Sequence, residues 1–190
     1  MDLESIASAI RICKLCSLHK NRNNTVPGSG NSRSEVMLIG EAPGANEDKQ
    51  GLPFVGEAGK FLDALLGTIG LKREDVFITN AVKCRPLNNR DPIEKEVQIC
   101  TRAYLLDQIK LIQPKLIVTL GRHAMKIFFP QIRAISDVRG KAYKKGQQVY
   151  LILFHPAVAL YQQRMKTVLQ DDFKKIPTIL KQIDLLKESK

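Results

Sequence analysis

The sequence lacks several features that would place the protein in a special class. Its 190 residues contain no apolar run approaching the roughly 20 residues of a membrane-spanning helix, no internal repeat and no low-complexity segment. The first four residues are acidic and polar, which is untypical of a secretory signal peptide. Because the length suits one compact core, we expect a single domain over residues 1–190, located in the cytoplasm and without membrane contact.

Acidic residues are also scarce. The chain has 19 Asp and Glu residues against 30 Lys and Arg residues, giving a formal net charge of +11. A basic excess on a small domain indicates a polyanionic partner, most often nucleic acid. A merely soluble basic protein would have the same composition, so charge alone leaves both interpretations open.

Cysteine is rare, but the spacing of the four cysteines is informative. Cys13 and Cys16 form a C-x2-C pair, whereas Cys84 and Cys100 lie far downstream. In a cytosolic chain such a set is more typical of a metal site than of disulfides. Buried structural thiols would explain Cys84 and Cys100 singly, and a redox pair would need no downstream partners. Spacing does not separate zinc from an iron–sulfur cluster, because four thiolates suit both.

Four short apolar runs alternate with segments of helical apolar spacing. The runs 36–39, 76–79, 116–120 and 149–153 are typical of buried strands. Helices are expected over 3–12, over 58–69, over 91–112 with Asp91 as N-cap, and in a basic tail, while 20–34 and 41–56 read as loops. This order predicts an α/β fold: three α/β/α layers around a central, mainly parallel four-stranded sheet.

Polar residues follow the predicted strands directly. Glu41, Asn80, Gly121 and His155 each lie at or just beyond a strand's carboxyl end. In parallel sheets, ligands bind in the crevice beyond these ends. The sequence therefore predicts a site at this edge.

Several motifs at the same positions resemble those of family-four uracil-DNA glycosylases. They are 40–44 (GEAPG), 51–56 (GLPFVG), 79–80 (TN) with 83–86 (KCRP), and 155–157 (HPA). The resemblance spans residues 5 to 175. It implies a monofunctional enzyme that flips uracil out of single- or double-stranded DNA and hydrolyses its N-glycosidic bond, initiating base excision repair. It also implies a [4Fe-4S] cluster held by the four cysteines.

The resemblance assigns roles at the sheet edge. Breaking the glycosidic bond leaves charge on uracil O2, which a donor such as His155 can stabilise, while Glu41 can orient water or stabilise the cationic sugar. Phe54 can stack on the base, and the Asn80 amide can read uracil O4 and N3–H. The expected uracil-binding residues are Glu41, Ala42, Pro43, Phe54, Asn80 and His155. The alternatives are a loop histidine, a backbone-bonded glutamate, a core phenylalanine and a turn asparagine.

Two positions depart from the best-known glycosylase branch. Ala42 stands where that branch has an aspartate, so the water-activating role of Glu41 is an inference. Gly44 replaces the aromatic residue that excludes thymine there, and we expect exclusion from Glu47 or the Phe54 loop. Leu160 is the candidate wedge into the duplex, with a core leucine as the alternative.

The expected partners and the rival functions follow from the same features. We expect a monomer on DNA, with a sliding clamp as a further partner by analogy with relatives, although 182–186 lacks the usual aromatic pair. One rival is a non-catalytic nucleic-acid-binding module with structural zinc. The other is a different enzyme on the same fold, either a glycosylase of broader base preference or a small-molecule hydrolase.

Overall fold

A computed structural model describes the backbone of residues 2–188 and the side chains as far as residue 186. In these residues a mixed six-stranded sheet of order β1-β3-β2-β4-β6-β5 lies between two layers of helices. The strands are β1 (Ser29–Gly30), β2 (Val36–Gly40), β3 (Phe77–Asn80), β4 (Leu116–Leu120), β5 (Lys141–Lys145) and β6 (Gln148–Leu153).

The helices surround the sheet and are mostly short. None of those described is long and apolar enough to cross a membrane. The α-helices are α1 (Leu3–Arg11), α2 (Ala45–Gln50), α3 (Glu57–Gly67), α4 (Glu94–Cys100), α5 (Leu106–Ile112), α6 (Arg122–Phe128), α7 (Val158–Tyr161), α8 (Arg164–Phe173) and α9 (Lys175–Glu188). A π-helical turn spans Thr101–Leu105, and 3-10 turns span Ser17–Lys20, Arg73–Asp75, Leu87–Asn89 and Ile135–Asp137.

The predicted parallel strands form the centre of the sheet. β3, β2, β4 and β6 are parallel neighbours, and Gly40 pairs with Asn80 at their carboxyl ends. Their side chains are buried on both faces because α3, α8 and α9 cover one face while α5 and α6 cover the other. This burial explains the continuous apolar runs of these strands. The predicted three-layer α/β fold is confirmed.

The predicted number of strands was wrong, since the sheet has six strands rather than four. β1 and β5 add antiparallel edges, pairing with β3 and β6 respectively. β1 has only two residues inside a stretch expected to be loop. β5 has the sequence KAYKK, in which only Tyr143 and Ala142 are uncharged, so it lacks the alternation that reveals a strand.

Three further expectations about the elements also differ. The helix expected from Asp91 begins at Glu94, and the Glu96 carboxylate accepts a 3.0 Å hydrogen bond from the Ile93 N–H at its start. Asp91 instead forms an ion pair with Arg122. The π-helical turn interrupts the segment before α5, and the expected loop 41–56 contains α2. Because Asp91 pairs with Arg122 and Glu96 accepts from the Ile93 N–H, Asp91 does not cap this helix.

Candidate active site and metal centre

A pocket of about 320 Å³ opens at the carboxyl edge of the parallel strands. β2, β3 and β6 each end at its wall, which brings Glu41, Asn80 and His155 together as the strand-end rule predicts. Gly121, after β4, lies behind His155, because a Cβ atom there would be 3.2 Å from the His155 Cβ. The lining residues are Glu41, Ala42, Pro43, Gly44, Glu47, Phe54, Ala58, Asn80, Pro86, Asn89, Arg90, His155 and Ala157.

Phe54 is held against the pocket by an unusual backbone conformation. Its φ is +52°, in the left-handed region that few non-glycine residues adopt. Arg73 donates a 2.8 Å hydrogen bond to the Phe54 carbonyl, and a Cβ atom at Gly59 would lie only 1.8 Å from that carbonyl oxygen. The ring stacks on His155 and is 5 % exposed. The surrounding structure therefore compensates the local strain to present this ring.

The hydrogen bond at His155 indicates its tautomer. Nδ1 lies 3.2 Å from the backbone nitrogen of Ala157, whose N–H donates to it. Burial lowers the pKa of His155 to about 4, although the charge of Glu47 acts in the opposite direction. The ring is therefore neutral at physiological pH, with its proton on Nε2.

Asn80 is the last residue of β3 and has a free acceptor. The residue is 2 % exposed, and its side-chain Oδ1 is buried without a hydrogen-bond partner in the described structure. A Cβ atom at Gly40 would lie 2.4 Å from this oxygen and 2.7 Å from the Phe54 ring. Only glycine at position 40 lets both side chains approach, and the unpaired oxygen is ready for a ligand donor.

Glu41 lies in a cluster with His123, Asp91 and Arg122 that the sequence did not predict. Its Oε2 lies 3.7 Å from His123 Nε2, which lies 3.4 Å from Asp91 Oδ2, and Arg122 pairs with Asp91. Burial raises the pKa of Glu41, while the nearby His123 acts to lower it. His123 lies two residues after Gly121, just beyond the end of β4. This position beside a predicted strand end is the sequence feature that could have identified it.

Glu47, the candidate for thymine exclusion, and Leu160, the candidate wedge, lie in different surroundings. The Glu47 carboxylate accepts hydrogen bonds from the backbone N–H groups of Val55 and Gly56 at 2.9 Å and of Gly44 at 3.1 Å. It therefore shapes the loop between β2 and α3. Leu160 lies on α7 and is 46 % exposed, which is incompatible with a core leucine.

Asn89 and Arg90 also line the pocket and were missed as base-site candidates. Asn89 has a φ of +54°, and its Oδ1 accepts a 2.7 Å hydrogen bond from Arg85. Arg90 forms a double hydrogen bond with the buried Glu96. The only sequence feature that could have identified these two residues is their position shortly after the KCRP motif.

The four cysteines surround a second, smaller cavity. All four are free thiols, and Cys84 and Cys100 are buried. Arg22 donates a 3.0 Å hydrogen bond to the Cys84 sulfur, and Lys83 and Tyr104 also line the cavity. Burial raises the pKa of Cys100 to about 11, whereas the nearby Lys83 acts to lower it. The cavity offers four soft donors with cationic groups beside them, which suits a metal group that binds thiolates.

Comparisons with known proteins agree with this geometry. Residues 27–181 match the model of the uracil DNA glycosylase superfamily. The chain is 50% identical over 188 residues to a type-4 uracil-DNA glycosylase of Saccharolobus solfataricus, covering 94% of this chain and 87% of that protein. It is 47% identical to a type-4 uracil-DNA glycosylase of Archaeoglobus fulgidus, covering 92% of each. A type-5 uracil-DNA glycosylase of Thermus thermophilus is 29% identical over 157 residues, covering 66% of this chain and 71% of that protein.

Proposed function

The chain belongs to the uracil DNA glycosylase superfamily, and on that premise we propose that it acts as a type-4 uracil-DNA glycosylase. It flips uracil out of DNA and hydrolyses the N-glycosidic bond, leaving an abasic site for base excision repair. The observation that carries the proposal is the pocket in which the Phe54–His155 stack faces the unpaired Asn80 amide oxygen at the strand ends.

Asn80 reads the base. Its buried Oδ1, which has no partner in the described structure, accepts from uracil N3–H, and its amide N–H donates to O4. Cytosine presents an unprotonated N3 and an amino group, so it would leave two acceptors or two donors facing each other. Each mismatched buried group costs about 1–3 kcal/mol, which is enough for strong discrimination.

His155 stabilises the leaving base. The neutral ring, fixed by the Ala157 N–H at Nδ1, directs its Nε2–H toward uracil O2, where negative charge develops. A preorganised donor of this kind contributes about 3 kcal/mol to transition-state stabilisation. Phe54 supports this arrangement, because its ring stacks on the imidazole and leaves a wall against which the base can lie.

Glu41 acts on the sugar side of the bond. A carboxylate at the end of β2 can orient the attacking water and stabilise the positive sugar, although position 42 holds no aspartate. The neighbouring His123 and Asp91 lie beside it and are not among the described residues that line the pocket. Ala42 and Pro43 complete the loop that contacts uracil.

The cysteines bind a [4Fe-4S] cluster. All four cysteines line one cavity, and Arg22 donates a 3.0 Å hydrogen bond to the Cys84 sulfur. Four thiolates can hold a [4Fe-4S] cluster, which is the group that the resemblance to family-four uracil-DNA glycosylases implies. Bound there, it would tie the N-terminal segment to α4.

The remaining assignments concern selectivity and partners. Glu47 would exclude thymine through the loop that its carboxylate holds in place. The exposed Leu160 is the wedge that inserts into the duplex where the base flips out. The substrate is uracil-containing DNA, single- or double-stranded. The enzyme is a monomer with one domain and acts in the cytoplasm. A sliding clamp stays a prediction, and residues 182–186 lie in α9.

The test is a cleavage assay on matched oligonucleotides that carry uracil, thymine, cytosine or hypoxanthine at one position. We expect alkali-sensitive abasic sites only with uracil, from a brown, iron-containing protein. Cleavage of hypoxanthine at a similar rate would favour the broader glycosylase, and DNA binding without cleavage would favour the non-catalytic module.

A further inference from the structure

Lys83 is a fully buried ammonium group between the two sites. The residue is 1 % exposed and lies three positions after Asn80 and one before Cys84. It lines the cysteine cavity, while Asn80 before it and Pro86 after it line the base pocket. Burying an unpaired charge is costly, so a lysine in this place requires a specific compensation.

The hydrogen bonds of Lys83 account for all three of its N–H groups. Nζ donates to Thr79 Oγ1 at 2.6 Å, to the Asn80 carbonyl at 2.8 Å and to Gln108 Oε1 at 2.8 Å. All three acceptors are neutral oxygens, so they satisfy the donors and leave the charge uncompensated. A negative charge close by would complete the arrangement.

The cysteine cavity is where that negative charge would lie. Lys83 and Cys100 line the same cavity, so the buried lysine lies beside the sulfurs that would hold the cluster. Four thiolates outweigh the charge of an oxidised four-iron core, so the occupied cavity carries net negative charge. The ammonium and the occupied cavity are therefore mutually stabilising in the protein interior.

The same hydrogen bonds reach the base-reading residue. Lys83 binds the Asn80 carbonyl, while the side-chain Oδ1 of Asn80 has no partner among the described residues. Thr79 and Gln108 extend the network, since both donate to the Pro27 carbonyl, at 3.0 and 2.8 Å. The backbone of Asn80 is thus fixed while its amide stays available to the base.

We propose that Lys83 is a positioning residue that couples the two sites: its ammonium is the counter-charge of the cluster and fixes the backbone of Asn80. The inference rests on the proposed function, because it assumes both the cluster and the reading of uracil by Asn80. It predicts that removing one buried charge changes the cluster and the base selectivity together.

The experiment compares Lys83→Met with Lys110→Met in the iron-loaded protein. Lys110 lies exposed on α5, the helix that carries Gln108, so its replacement removes the same charge from the surface. The midpoint potential of the cluster is measured by voltammetry. Base selectivity is measured as single-turnover rates on uracil and cytosine oligonucleotides, with the dissociation constant for DNA as a check on binding.

For Lys83→Met we expect a more negative potential, because a cation stabilises the reduced, more negative cluster. We expect uracil release to slow by about tenfold or more, with a smaller uracil-to-cytosine ratio and nearly unchanged DNA affinity. Lys110→Met should match the parent chain in potential and rate. If Lys83→Met does not accumulate as folded protein, Lys83→Gln replaces it in the experiment. Gln keeps polar donors without the charge, so this variant should show the same shift in potential.

A folded, fully iron-loaded Lys83 variant with the parent's potential and base selectivity would overturn the proposal. A loss of stability with both quantities unchanged would do the same, since Lys83 would then only fill space. Failure of the proposed function looks different: the parent chain itself would lack iron or release no uracil.

Discussion

The Phe54 ring stacks on the His155 imidazole with centroids 5.4 Å apart and planes inclined by 24°. The two residues follow β2 and β6 in separate loops, so their contact joins the ring proposed to stack on the base to the hydrogen-bond donor proposed for uracil O2. A shift of either loop would move both groups relative to a bound base. Five predictions follow from this site and its surroundings.

His155→Gln and Glu41→Gln should slow uracil release far more than they weaken DNA binding. Both side chains are assigned to charge that exists only in the transition state, so we expect losses of about a hundredfold or more in single-turnover rate. Dissociation constants for the same oligonucleotide, measured in parallel, should change little. Equal losses in rate and affinity would show that the residues merely hold substrate.

Acid should destabilise the fold through His155. Its pKa falls from 6.5 to about 4 on folding, so between these values the unfolded chain binds a proton that the folded chain does not. The free energy of unfolding should therefore decrease as pH falls through this window, by at most about 1.4 kcal/mol per pH unit from this group. Denaturant titrations of the parent and of His155→Gln should diverge there, and parallel curves would refute the assignment.

Asn80→Asp should weaken the reading of uracil and admit cytosine. A carboxyl oxygen can accept from the cytosine amino group, whereas it cannot donate to uracil O4 when ionised. We expect much lower uracil activity with slight, newly detectable cytosine release, measured on oligonucleotides that differ only in U or C. A variant with the parent's uracil rate and no cytosine release would show that Asn80 does not read the base.

Cys84→Ala should lose iron and stability. Removing one of four ligands opens the cluster, and its binding free energy contributes to folding. Iron content, the visible absorption band and the thermal midpoint should all fall. Leu15→Ala is the matched control, because Leu15 lies exposed between Cys13 and Cys16 without being a ligand. Full iron content in Cys84→Ala would remove Cys84 from the ligand set.

DNA binding should weaken steeply with salt, because the chain's basic surplus releases counterions from phosphates. Each neutralised phosphate contributes about 0.9 to the slope of log affinity against log salt. Arg85→Ala, beside the pocket, should reduce that slope by about one unit, measured by fluorescence anisotropy. Arg33→Ala, exposed at the opposite edge of the sheet, should leave it unchanged. A flat salt dependence in the parent would contradict the electrostatic argument.

The sequence predicted the parallel centre of the sheet because continuous apolar runs such as 116–120 are hard to place elsewhere. It also predicted that Glu41, Asn80 and His155 would meet, since parallel strands end at one edge. It could not predict β5, whose lysines hide the strand pattern, or the partner of Asp91. These depend on tertiary contacts: Arg122 is distant in sequence yet pairs with Asp91.

The same limit applies to the metal centre. The spacing of Cys13, Cys16, Cys84 and Cys100 identifies a ligand set but contains no distances. Four thiolates can hold either zinc or an iron–sulfur cluster, so the spacing alone does not choose between them. The role of Lys83 could not be predicted either, because the sequence does not show that this lysine is buried.

The two edge strands bear on how copies of the chain meet one another. A sheet edge with unpaired N–H and C=O groups is a template for pairing with another chain. Here one edge is β1, with only two residues, and the other is β5, which carries Lys141, Lys144 and Lys145. The short length of β1 and the like charges of β5 both disfavour pairing of a sheet edge with that of another copy of the chain. The lysines of β5 thus make pairing of this edge with the same edge of a second copy electrostatically unfavourable.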